Sequence, residues 1–418
     1  MYSLPPKYNF LNKYLVRDSN TYSVYLDAAS AIRITGNKPI LLENILLKDG
    51  SISEYPVLSN VTSSPEVVSE YFGVSVSYLK DFIVKALENP VEPDVKSPNQ
   101  YYNIETNLYK LPILYHYKGD GGYYITAGII IAEDPEYGLN ASYHRLMLID
   151  KDRVVARILP RHLHKYIERG LKKFTICIGN TPEVLIASAL SPELGVSELA
   201  IANSMNKINL IDYDGLIGSE AQIVLVGELT GEYHDEGPFV DITGTLDIVR
   251  PQPVVRIKKI YVRENAFYHA IIPAGYEHRF LMGFSKEPII YRELVKNGID
   301  VVDVHLTYGG VSWLHAVIKI RKKSEDDPRK TIEIAFKAHQ SLKLAIVVDE
   351  DIDIYDPNDV EWALATRVQP DRDVYIYSNQ IGSSLDPSAD QITRKTSKWG
   401  IDATIPDLKR IRDFRKVV

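Results

Sequence analysis

Arg145 stands directly before the apolar run Leu146, Met147 and Leu148. A guanidinium buried in such a strand needs a carboxylate partner or an anionic ligand. Two acids could answer it, in the stretch Glu236-Gly237-Pro238-Phe239-Val240-Asp241. Glu236 is expected in a loop before Gly-Pro, and Asp241 within the strand that follows. Two carboxylates near one buried arginine can differ in acidity and share acid–base work. The competing account is a turn with surface acids.

A second set could hold a metal. Asn140, His162 and Glu198 offer two oxygens and one nitrogen, which suits Mn2+ or Mg2+ better than zinc. His162 and Arg161 fall in the first turn of an expected helix, whose free N–H groups favour an anion. The competing account is a structural histidine at a helix start, and nothing in the spacing itself brings the three segments together. Gly121-Gly122 either lets the backbone approach a ligand closely or turns a hairpin. Asn140 and Arg145 are five apart, so a regular strand would put them on opposite faces. A shared site therefore needs Asn140 in the loop before the strand, or a bulge between the two.

Other candidates fall away. The acidic run at 349, 350, 351, 353 and 356 lacks the turn glycine of a Ca2+ loop. A strand end leading to a capped helix explains it better. Cys177 lies in an apolar strand, where an inert thiol is expected. No phosphate-binding glycine motif is present, and the two glycosylation-type triplets at Asn60 and Asn140 are chance matches.

The elements that must position these residues divide the chain into three: 1–95, 96–285 and 286–418. The first mixes strands and helices, with a buried-type run at 38–47 and a helix after Ser64-Pro65. Residues 88–99 carry three prolines and read as a linker. The middle region is dominated by strands at 123–132, 142–149, 174–178, 221–229 and 239–249. Between them come short helices at 160–169, after Thr181-Pro182, and after Ser197. Mostly antiparallel strands with few helices suggest a barrel or sandwich. The last region alternates helix and strand, as in the run 342–348 followed by a helix capped by Asp356, and reads as α/β.

Composition fits that plan. The chain has 418 residues, 45% hydrophobic and 25% charged, enough for several cores and too apolar for whole-chain disorder. A net charge of −7 argues against a general nucleic-acid binder. No apolar run approaches the roughly 20 residues needed to span a bilayer. The N-terminal segment is unlike a secretory signal, and one cysteine fits a reducing cytoplasm. Seven Gln beside that single Cys suggest heat adaptation.

Taken together and in order, these segments resemble the UbiD family of reversible decarboxylases. The resemblance covers nearly the whole chain. It runs from PILLENILL and EYPVLSN at 39–60 through DGGYYITAG, NASYHR, LPRH, GVSE and EGPFVDITG. It ends in VDEDIDIYDPNDVEWALATRVQPDRD and SKWGIDAT. The resemblance implies an α+β and α/β multidomain chain with a central split β-barrel that holds prenylated FMN. The flavin phosphate is bound through Mn2+ and commonly a monovalent cation such as K+. By motif position, Asn140, His162 and Glu198 are the implied Mn2+ ligands, with His162 the least essential because some members lack it. Tyr143, Arg145, Arg161 and Ser188 are implied contacts of the cofactor, and Lys398 the C-terminal lysine that approaches it. Arg145, Glu236 and Asp241 match the catalytic network: Arg145 orients the substrate carboxylate, Glu236 holds Arg145, and Asp241 moves the proton.

Two departures stand out. Val240 replaces the final glycine of the usual EGPFG, which narrows the substrate side of the pocket. The terminal LKRIRDFRKVV is too short for the long helix that larger members pack across a dimer. The expected substrate, chosen on size and composition, is trans-anhydromevalonate 5-phosphate, giving isopentenyl phosphate and CO2. His278 and Arg279 are candidates near its phosphate. A hydroxybenzoate-type aromatic acid decarboxylase is the alternative, and a non-catalytic flavin-binding barrel a third reading. The implied partners are a flavin prenyltransferase that supplies the cofactor and further copies of the chain in a homo-oligomer.

Overall fold

Short β-branched and aromatic runs bounded by Gly, Asp and Pro build an antiparallel sheet of nine strands. The structure, a computed structural model, describes residues 2–99, 101–406 and 411–414. Most of LKRIRDFRKVV lies outside the described residues. Two compact units, Met1–Leu281 and Met282–Val418, make up a mixed α and β multidomain fold. No helix among the described residues is long and apolar enough to cross a membrane.

In chain order the large sheet of the first unit begins with β1 (Tyr101–Ile104), β2 (Tyr124–Ile125), β3 (Ile129–Asp134) and β4 (Gly138–Tyr143). It continues with β5 (Leu146–Leu148), β6 (Arg153–Ala156), β7 (Lys173–Ile178) and β8 (Ile223–Glu236). A separate hairpin of β9 (Phe239–Val240) and β10 (Leu246–Asp247) precedes the last strand, β11 (Arg250–Arg263). The strands pair in the order β2-β5-β6-β11-β8-β7-β3-β4, with β1 on β11. Among the described residues this path is open at β2 and β4.

Several sequence expectations change here. The expected strand 239–249 is the β9–β10 hairpin, because Asp241-Ile242-Thr243-Gly244 turns the chain. The Gly244 N–H donates to the Asp241 carbonyl at 2.8 Å, and Gly244 takes a φ of +76°. Asp241 is therefore a turn residue beside β9. Glu236 lies at the end of β8, where a loop was expected. β11 escapes sequence reading because Pro251 and Pro253 fall in its first four residues, and proline argues against a strand. The stretch 88–99 contains the strand Asp94–Lys96, which pairs parallel with Asn209–Tyr213. Its three residues are all exposed, so no alternation marks it.

Three helices flank β4. Helix α1 (His162–Glu168) packs on β3 and β4, α2 (Pro182–Leu190) on β4, and α3 (Glu198–Met205) on β4 and α2. Gly170, at φ +105°, follows α1. Ser197 caps α3, its hydroxyl accepting the Leu199 N–H at 3.2 Å. Pro182 opens α2, whose residues are nearly all buried.

The strands Val16–Ser23, Ile40–Leu46, Val57–Ser59 and Tyr268–His269 form a second sheet. Its last strand comes from far along the chain, and its apolar residues join one core with the nine-stranded sheet. That shared core is why residues 1–281 are one unit where the sequence reading draws a division near 95. Helix α4 (Tyr276–Phe284) follows Tyr268–His269.

In the second unit five strands form a mixed sheet in the order Val301–Leu306, His315–Ile320, Leu344–Asp349, Lys395–Asp402, Val374–Ile381. Separate apolar clusters lie against it, which is the α/β pattern expected. Asp356 caps the helix Pro357–Arg367, accepting the Asn358 N–H at 2.9 Å.

Candidate active site

Arg145 occupies a break between β4 and β5. The chain leaves its β3 partner after Tyr143 and takes up β2 and β6 from Leu146, so His144 and Arg145 belong to no strand. That break answers the spacing problem: Asn140 sits within a strand, and the five-residue offset crosses an interruption.

The guanidinium meets three carboxylates. Its Nε and Nη2 donate to Glu236 Oε1 and Oε2 at 2.8 and 2.9 Å, a bidentate pair. Nη1 donates to Asp241 Oδ2 at 2.9 Å, and Nη2 also to Asp247 Oδ2 at 2.7 Å. The Phe239 ring stacks on the guanidinium at 4.5 Å. Burial opposes the charge on Arg145, but Glu236, Asp241 and Asp247 hold its pKa above the ordinary arginine range. Glu236 is fully buried and also accepts the Tyr124 hydroxyl at 3.1 Å. Asp247 was not singled out from sequence. It is shared with Arg250, whose Nη1 donates to the same oxygen at 2.8 Å. Its only sequence signal was an acid three residues before an arginine.

Gly121 serves the chain itself, and the ligand reading of its close approach is not needed. A Cβ there would lie 2.1 Å from the Gly237 carbonyl oxygen, and the Gly121 N–H donates to Pro238 O at 2.7 Å. Buried Asp120 accepts the N–H groups of Tyr117 and Val240 at 3.0 and 3.1 Å. These contacts fix the start of the hairpin that carries Asp241 and Asp247.

On β4, Asn140 is paired with Ala132 and meets α3. Its Nδ2 donates to both oxygens of Glu198 at 3.1 Å, and the Ala141 N–H donates to Glu198 Oε2 at 2.9 Å. Burial pushes the Glu198 carboxyl up to about 7 despite those bonds. His162 begins α1, half-buried, its pKa lowered by burial and then by Arg161 and Lys165. It makes no hydrogen bond to Asn140 or Glu198. No three His, Cys, Asp or Glu side chains among the described residues form a metal site alone. A buried carboxylate beside an amide that can turn its oxygen toward the same point suits a hard divalent cation. Nearby, the Tyr143 hydroxyl and the Ser188 hydroxyl are buried with no hydrogen-bond partner among the described residues, as groups awaiting a polar ligand would be.

The remaining candidates fall elsewhere. Arg161 is exposed before α1. His278 is half-buried in α4, its Nδ1 accepting the Ala274 N–H at 3.1 Å; burial lowers its pKa and nearby Asp241 opposes the shift. Arg279 follows it. Lys398 is buried within the second unit, donating to the Gln340 carbonyl at 2.6 Å, and burial pushes it down to about 8.

His144 joins the two clusters. Its Nδ1 bonds the Arg157 carbonyl at 3.0 Å and so carries the proton, while Nε2 meets the Ser142 hydroxyl at 3.0 Å. Burial, with Arg161 adding to it, pushes His144 down to about 4, against the bond to Arg157. The unfolded chain, titrating near 6.5, takes up this proton more readily than the fold. Stability from His144 is therefore complete above about pH 6.5 and is lost as the pH falls toward 4. Urea unfolding at pH 7.5 and 5.0 is expected to show this. In His144→Gln the difference between the two pH values should shrink by about 2 kcal/mol; an unchanged difference would contradict the assignment.

The chain is similar to known proteins along nearly its whole length. Residues 91–276 match the 3-octaprenyl-4-hydroxybenzoate carboxy-lyase Rift-related domain of UbiD, and residues 279–403 its C-terminal domain. The anhydromevalonate phosphate decarboxylase of Methanothermobacter thermautotrophicus is 41% identical, over 98% of this chain and 99% of that protein. The protein of the same name from Methanocaldococcus jannaschii is 40% identical over 89% and 91%. The UbiD-class enzyme HmfF from Pelotomaculum thermopropionicum, solved with FMN, superposes with a TM-score of 0.92 at 33% identity, covering 99% of this chain and 97% of HmfF.

Proposed function

The chain belongs to the UbiD family of carboxy-lyases, and on that basis we propose that it converts trans-anhydromevalonate 5-phosphate to isopentenyl phosphate and CO2. It is a decarboxylase. The observation that carries the substrate is the near-complete match, at 41% identity, to the Methanothermobacter enzyme of that name.

Loss of CO2 from an unsaturated acid leaves charge on carbon that no side chain can delocalise; prenylated FMN supplies that electron sink. The chain's own residues supply the rest. Three acids engage four of the five N–H groups of Arg145, and the one left on Nη1 is available to a substrate carboxylate. Glu236 fixes the plane of the guanidinium through its bidentate contact. Asp241, at the tip of the hairpin and 18% exposed, moves the proton to or from the substrate carbon. Asn140, Glu198 and His162 would hold Mn2+, with K+ as a second ion, against the flavin phosphate. Tyr143, Ser188 and Arg161 would line the cofactor. In this reading residues 96–285 are the flavin domain and the nine-stranded sheet is its split barrel. A flavin prenyltransferase supplies the cofactor, the enzyme works as a homo-oligomer, and its single buried thiol suits the cytoplasm.

The test is to produce the protein with and without a flavin prenyltransferase and to follow CO2 release. Turnover of trans-anhydromevalonate 5-phosphate is expected only with the prenyltransferase. Turnover of 4-hydroxybenzoate alone would replace the substrate with an aromatic acid, and absence of bound flavin would return the protein to a non-catalytic role.

A further inference from the structure

Arg157 directly follows β6, and its N–H donates to the Arg145 carbonyl at 3.1 Å. That bond continues by one step the register in which Ala156 faces Leu146. Opposed residues of antiparallel strands present their side chains to the same face, about 5 Å apart at Cβ. Arg157 and Arg145 are thus like charges set directly across from each other.

On its other side β6 pairs with β11, where Val155 faces Val254. The same register places Gln252 beside Arg157, and Arg250 two residues further along on that face. Three guanidiniums therefore share one patch. Two of them are neutralised: Arg145 by Glu236, Asp241 and Asp247, and Arg250 by Asp247. The Arg157 side chain has no hydrogen bond or ion pair with any described residue. Burial, then Arg250 and Arg145, lower its pKa, and Asp247 and Glu236 oppose the shift. The acids of the patch all lie on Arg145 and Arg250, so the N–H donors of the partly buried Arg157 side chain are left for a ligand to accept.

We propose that Arg157, with Arg250 beside it, binds the phosphate of the substrate. The inference rests on the decarboxylase reading and assigns the end of the substrate away from the reacting carbon. A short acid whose carboxylate lies on Arg145 would place a terminal phosphomonoester on the neighbouring guanidinium, whose planar fork matches phosphate oxygens. An aromatic acid without a phosphate would leave Arg157 unpaired. The flavin also carries a phosphomonoester, so the test must separate the two.

Holoenzyme carrying Arg157→Gln or Arg157→Lys is compared with the parent on trans-anhydromevalonate 5-phosphate and on its dephosphorylated acid. The expected result for Arg157→Gln is a fall of about ten- to a hundredfold in the ratio of kcat/KM for the two acids, with the flavin retained. Arg157→Lys should recover part of the ratio. Calorimetric binding of inorganic phosphate should weaken in parallel. An unchanged ratio with undiminished phosphate binding would overturn the assignment, and loss of flavin in both variants would transfer Arg157 to the cofactor phosphate. Should the parent turn over neither acid, the substrate reading fails by itself, and phosphate binding still decides the role of Arg157.

Discussion

Asp241→Asn is expected to keep the flavin bound and to lower kcat by about 10²- to 10⁴-fold, the usual worth of a positioned proton donor. Asparagine has the same shape, and its amide oxygen can still accept from Arg145 Nη1, as Asp241 does at 2.9 Å. What it loses is the ability to exchange a proton. Glu236 cannot replace it, because both its oxygens are committed to Arg145 and it is sealed from the surface. Flavin absorbance together with single-turnover CO2 release checks the expectation. A variant that retains its flavin and turns over at the parent rate would remove Asp241 from the chemistry.

Arg145→Met should be inactive and also unstable. Removing the cation leaves Glu236, Asp241 and Asp247 facing one another with little water, and an uncompensated buried pair typically costs about 3–5 kcal/mol. The midpoint of urea unfolding reports this directly. Adding Asp241→Asn to Arg145→Met should return part of the loss, since one repelling charge is gone while the Asp247–Arg250 pair is kept. If the double variant is no more stable than the single one, repulsion among these acids is not the source of the instability.

The chemistry of this cluster was more legible than its geometry. An arginine before an apolar run announces a partner, and Glu236 and Asp241 were the acids to find, because residue type alone poses that question. Their settings were not readable. The Gly-Pro that follows Glu236 points to a loop, yet β8 extends to it because β11, hidden behind two prolines, pairs with it over its length. Asp247 and Arg157 were overlooked for a common reason: each matters only through cross-strand register, which a hairpin turn and a proline-bearing strand concealed. Gly121 shows the converse. The glycine pair stands out in the sequence, but its cause is contact between two backbone segments, which no local pattern encodes.

The sharing of Asp247 between Arg145 and Arg250 has a consequence for how the pocket treats stray anions. Asp247 is in effect a tethered carboxylate, present at the guanidinium at a local concentration that free solutes do not match. Acetate, chloride or bicarbonate reaching Arg145 meets one unengaged N–H with this carboxylate and two others close by, whereas an acid that also gains a second anchor elsewhere does not depend on that single contact. The hairpin thus disfavours weak monovalent anions relative to molecules that bring two recognised groups at once.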